Sequence, residues 1–66
     1  MDEKIKGEVL EMLPNVRFRV ELENGRVILC YLAGKLQKNF IKVIISDKVL
    51  VVVPSTGDIG RIIKRY

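Results

Sequence analysis

Val16, Phe18, Val20 and Leu22 alternate with Arg17, Arg19 and Glu21, and Asn24-Gly25 follows at once. Period-two alternation predicts a strand with one buried and one wet face. Asn24 and Gly25 tolerate positive φ and predict a hairpin turn. Val27–Leu32 is rich in β-formers and reads as the returning strand. A chain holding this hairpin is committed to a β-rich fold, and the remaining segments have to close around it.

They read as more strands. The run from Ile5 to Leu13 has imperfect alternation, with Ile5 and Val9 on one parity and Leu10 and Met12 on the other. Gly7 within it suggests a bulge or sharp bend. A bent first strand serving two sheets would bury both parities. Pro14-Asn15 ends it as a turn. Met1–Lys4 is charged and expected to fray. Lys35–Phe40 is polar, with Leu36 and Phe40 four apart, which predicts one helical turn lying against the rest. Ile41–Ile45 is apolar apart from Lys42, and Ser46-Asp47 is a turn. Lys48–Val53 is a strongly β-branched strand, residues 54–58 form a loop, and Gly60–Tyr66 is a fifth strand. The order β-β-β-short α-β-β over 66 residues predicts an all-β fold: a single-domain, five-stranded antiparallel OB-fold barrel with its short helix between strands 3 and 4. An SH3-like barrel competes; the helical turn favours the OB-fold.

Charge is unevenly spread. Residues 1–25 carry six acids against four bases, and residues 26–66 carry two acids (Asp47, Asp58) against eight bases, within a total of +4. A cationic half on a small β domain predicts a polyanion partner. Lys35, Lys38 and Lys42 cluster on and after the helical turn. Arg17 and Arg19 share the wet face of strand 2, and Arg61, Lys64 and Arg65 lie on the last strand. Phosphates would take these charges, while bases stack on rings. Tyr31 and Phe40 are the candidate rings. Cys30 and Leu32 share the parity opposite to Tyr31, so a buried Cys30 turns Tyr31 outward. Phe40 also reads as a core anchor beneath the helical turn. Arg17 and Arg19 also read as cross-strand partners of Glu21 or Glu11.

Other classes fare worse. Histidine is absent and Cys30 is the sole cysteine, which excludes Ser-His and Cys-His nucleophile pairs, an intramolecular disulfide and any plausible zinc ligand set. Cys30 itself reads as a small core residue. No glycine-rich phosphate loop, signal peptide or membrane-length apolar stretch is evident. The reading is of a non-enzyme without metal or cofactor. A free single-stranded RNA chaperone of cold-shock type would need more rings than Phe18 and Tyr31 on strands 2 and 3. A protein-interaction module would need an exposed apolar patch.

LPN-x-x-FRVELENG, GK-x-x-KNFIK, SDKV and GRI-x-x-R, running from about Gly7 to Arg65, closely resemble bacterial and chloroplast translation initiation factor one. The resemblance implies an OB barrel with a short helix after strand 3. It also implies binding to the small ribosomal subunit at the aminoacyl-tRNA site. Partners there would be decoding-centre rRNA, a neighbouring ribosomal protein and the other two initiation factors, and no catalysis is implied. The chain would be monomeric when free and sit in the bacterial cytoplasm or an organellar stroma or matrix, away from membranes. Carried over by position, the rRNA-contacting segment is Lys35 through Lys42, with Arg61 and Arg65. The full set of expected contacts is Arg17, Tyr31, Lys35, Lys38, Asn39, Phe40, Lys42, Arg61, Lys64 and Arg65. Family members usually carry a base where this chain has Gln37, a glycine where Ser46 stands, and often a Tyr-Asp pair in the loop at 54–58. The Tyr31-Leu32-Ala33-Gly34-Lys35 sequence resembles chloroplast members somewhat more.

Overall fold

The strands β1 (Glu3–Leu13), β2 (Arg17–Leu22), β3 (Val27–Leu32), β4 (Lys48–Val53) and β5 (Ile59–Arg65), with one helix α1 (Gly34–Lys38) between β3 and β4, close into a barrel in the order β1-β2-β3-β5-β4. This computed structural model describes residues 3–38, 42–55 and 59–66. Four seams are antiparallel, as the sequence predicts. The fifth, β3–β5, is parallel, with Leu29↔Ile59 through Leu32↔Ile62 in register. The long excursion through α1 and β4 brings the chain back in the direction of β3, which an antiparallel hairpin could not do.

β1 joins two neighbours because it is long. Its first half pairs with β4, from Glu3↔Val53 to Glu8↔Lys48, and its second half pairs with β2 out to Leu13↔Arg17. Glu3 and Lys4, expected to fray, are thus part of the sheet. Gly7 sits at the crossing, opposite both Leu22 and Val49. A Cβ there would lie 2.6 Å from Val20 Cγ1 and 2.9 Å from the Glu21 carbonyl oxygen, so the bend needs glycine for space. The register shift itself comes later, between Val9 and Glu11.

The expectation that both parities of β1 are buried fails. Val9 is buried, but Leu10 and Met12 are exposed. β4 pairs only as far as Glu8, so the end of β1 has a strand on one side alone. Leu10 is the extra residue of the bulge and has no partner across the ladder. Val16 departs too: it sits in the 14–16 turn at φ 57° and is 51% exposed, so burial in β2 begins at Phe18. A β-branched residue in the left-handed region is strained by roughly 1–3 kcal/mol.

The other alternations hold. Phe18, Val20 and Leu22 from β2 meet Ile28, Cys30 and Leu32 from β3, and Val9, Val49, Val51, Val53 and Ile62 complete the barrel core. Leu36 of α1 and Val43 cover it. No polar or charged side chain is buried among the described residues. Gly25 turns the hairpin at φ 89°, and the Asn24 side chain accepts a hydrogen bond from the Arg26 amide at 3.0 Å.

Candidate nucleic-acid interface

Outward positions of β2, β3 and β5 fall into register to form a cross-strand row. Arg17 stands opposite Tyr31, and Tyr31 stands opposite Arg61. Side chains at paired positions share a face and lie within contact range. Tyr31 is 42% exposed, so its ring is available to solvent between two guanidinium-bearing positions. Leu29 pairs with Ile59 one step along the same face. Arg17, Leu29, Cys30, Tyr31 and Ile59 line a hollow of about 210 Å³. The hollow therefore has an apolar floor and a cationic, aromatic rim. Leu29 and Ile59 carry no charge or ring to mark them in the sequence, although Leu29 shares the parity of Tyr31.

α1 adds two more cations. Leu36 is its buried residue, which leaves Lys35 and Lys38 exposed and three residues apart, on one side of the turn. The helix is held by its flanks. The Ala33 amide donates to the Ile62 carbonyl at 2.9 Å, and the Leu36 and Gln37 amides donate to the Ala33 carbonyl at 3.0 and 3.2 Å. Lys42 is exposed. Asn39 and Phe40 lie outside the described residues, and with them both readings of Phe40.

Ion pairs divide the cations. Arg19 Nε lies 3.7 Å from Glu11 Oε1, one of the cross-strand pairings anticipated for it. Lys48 pairs with Glu8, and Arg65 Nε lies 3.1 Å from Asp47 Oδ2. Among the described residues, no such pair engages Arg17, Lys35, Lys38, Lys42 or Arg61. Arg65, an expected phosphate contact, already has a carboxylate. Lys64 lies 5.2 Å from the centre of the Tyr66 ring, which Lys6 also approaches at 5.4 Å. That ring borders a second, larger groove of about 630 Å³ with Glu8, Glu21, Glu23, Lys6 and Lys48. Its mixed charge makes it a poor polyanion site. Cys30 is fully buried, and burial pushes its thiol up to about 12, against a smaller lowering by a backbone hydrogen bond at Gly60. Such a thiol stays protonated and inert at neutral pH.

The sequence profile of the family described as "Translation initiation factor 1A / IF-1" matches residues 1–66. The chain belongs to this family. Membership gives it a role in translation initiation and a general association with the ribosome. Its fold is similar to the solution structure of translation initiation factor one from the Wolbachia endosymbiont strain TRS of Brugia malayi. That match has a TM-score of 0.79 at 37% identity and covers 98% of this chain and 78% of that one. It is also similar to the crystal structure of YjeQ from Thermotoga maritima, with a TM-score of 0.83 at 31% identity over 97% of this chain but 23% of that one. The OB-fold expectation is thereby met, barrel and helix alike.

Proposed function

We propose that the chain binds the small ribosomal subunit at the aminoacyl-tRNA site, contacts decoding-centre rRNA, and supports the other two initiation factors there without catalysis. The observation that carries this is the Arg17–Tyr31–Arg61 row, together with the exposed Lys35 and Lys38 of the helix that follows β3. Cations with no carboxylate partner among the described residues retain their full charge for phosphates, and a half-exposed ring between arginines suits an unstacked base. Family membership supplies the ribosomal setting. In this reading Arg17, Arg61, Lys35, Lys38 and Lys42 meet phosphates, and Tyr31 meets a base. Asn39 and Phe40 belong to the same basic segment. Lys64 and Arg65 contribute secondarily, because each is already engaged within the chain. The chain is a monomer when free, in a bacterial cytoplasm or an organellar stroma or matrix, and a ribosomal protein beside the decoding centre forms part of its site.

The test is equilibrium binding to purified small subunits against binding to a free single-stranded RNA oligonucleotide, over a salt series, with a chemical footprint on the rRNA. The expected result is tight, salt-dependent binding to subunits, weak binding to the oligonucleotide, and protection confined to the decoding centre. Equal binding to both ligands would favour the free RNA chaperone instead.

A further inference from the structure

Gln37 stands where a cation would be expected by resemblance, yet its side-chain amide is engaged within the chain. The β2–β3 ladder ends at Arg17↔Tyr31, one residue short of Leu32. On the other side, the Ile62 carbonyl is taken by the Ala33 amide. Leu32 therefore ends its strand with no β2 residue opposite it, and a backbone carbonyl left without a partner is costly. The Gln37 side-chain amide donates to that carbonyl at 2.8 Å. This bond ties the last turn of α1 to the strand that carries Tyr31.

A five-residue helix cannot hold its own shape or orientation. Leu36 fixes its depth, and Ala33 fixes its start. Leu36 also turns one side inward, but these two anchors leave open the tilt of the last turn about the strand end, and that tilt decides where Lys35 and Lys38 stand. We propose that Gln37 is a positioning residue for the cationic face: by completing the Leu32 carbonyl it sets α1, and so Lys35 and Lys38, at a fixed spacing from the Arg17–Tyr31–Arg61 row. The inference rests on the proposed rRNA-binding reading. It assigns position 37 in this chain to geometry instead of to a phosphate contact.

The experiment uses the full chain, purified small subunits, and the variants Gln37→Met (similar length, no donor) and Gln37→Asn (the same amide, one methylene shorter). Affinity is measured over a salt series, and amide exchange is followed by NMR. Both variants are expected to bind about three- to tenfold more weakly, the equivalent of one hydrogen bond, with the salt slope flattened in the direction of the lysine variants, because a misplaced Lys35 or Lys38 releases fewer counterions. Exchange should quicken at the Leu36 and Gln37 amides while Val20 and Val51 stay protected. Wild-type affinity in either variant despite a loosened helix would overturn the proposal. So would a salt slope unchanged from wild type, which would mean that Gln37 acts otherwise than through Lys35 and Lys38, or loss of protection at Val20 and Val51 in both variants, which would make it a residue of the fold. A Lys35→Ala/Lys38→Ala double variant runs alongside. If that variant binds like wild type, the rRNA reading itself fails, whatever Gln37 does.

Discussion

The barrel interior and the cationic face are built on opposite terms. The interior holds no buried charge among the described residues, and its side chains are mostly branched aliphatics locked at alternating positions. The face holds charges that no described partner neutralises, on side chains that lie in solvent. Burial stabilises by roughly 1.5–3 kcal/mol per large side chain, whereas exposed ion pairs contribute about 0–1 kcal/mol. Stability and recognition therefore rest on different residues of the same strands: Phe18 and Cys30 point in where Arg17 and Tyr31 point out. In a chain of 66 residues, this separation allows the binding face to carry unpaired charge at little cost to the fold.

Substitutions sort by which side of the barrel wall they strike. Phe18→Ala empties a 4% exposed core position and is expected to destabilise by about 3–5 kcal/mol in thermal or denaturant melts. Subunit binding, corrected for the folded fraction, should not change; a specific loss of affinity would break the separation. Gly7→Ala forces a methyl group against Val20 Cγ1 and the Glu21 carbonyl. It should cost about 1–3 kcal/mol, again without altering the salt slope of binding. An unchanged melting temperature would refute the tight crossing of β1.

Cys30 tests the interior by pH. Its thiol is pushed from 9.0 to about 12 in the folded chain, so the unfolded chain loses this proton first. The neutral, buried thiol contributes its full stability below about pH 9, and that contribution declines as pH rises from there towards 12. Compared with Cys30→Ala, the wild type should lose more stability across that window in urea melts. Parallel pH profiles would mean that Cys30 titrates normally.

On the face, Lys35→Ala and Lys38→Ala should each weaken small-subunit binding severalfold and flatten the salt slope by about one phosphate. Their melting curves should stay within about 0.5 kcal/mol of wild type. Wild-type binding in both would leave the basic helix as a solvated surface. The smallest effect is expected for Lys48→Ala. This lysine pairs with Glu8 on the surface, so its loss should cost about 0–1 kcal/mol and leave binding nearly unchanged. A large affinity loss there would show that pairing within the chain does not sort the cations.

Much of the molecule is legible in its sequence, because neighbours along the chain decide it. Alternation from Phe18 to Leu22 and from Ile28 to Leu32 fixed which faces are buried, and Asn24-Gly25 fixed where the chain reverses. Leu36 among polar residues fixed the inner side of the helical turn. Tertiary structure decided what depends on which strands become neighbours. β4 stops pairing at Glu8, which leaves Leu10 and Met12 exposed, and the turn places Val16 outside β2. The parallel β3–β5 seam sets Tyr31 beside Arg61, thirty positions away in sequence. Strand register also chose among the partners anticipated for Arg17 and Arg19: it gave Arg19, like Lys48 and Arg65, a carboxylate and left Arg17 without one among the described residues. Periodicity carries information over a few residues, whereas a charge is neutralised by whatever the register brings opposite it. Arg17 and Arg19 therefore look alike in the sequence and differ only in the folded barrel.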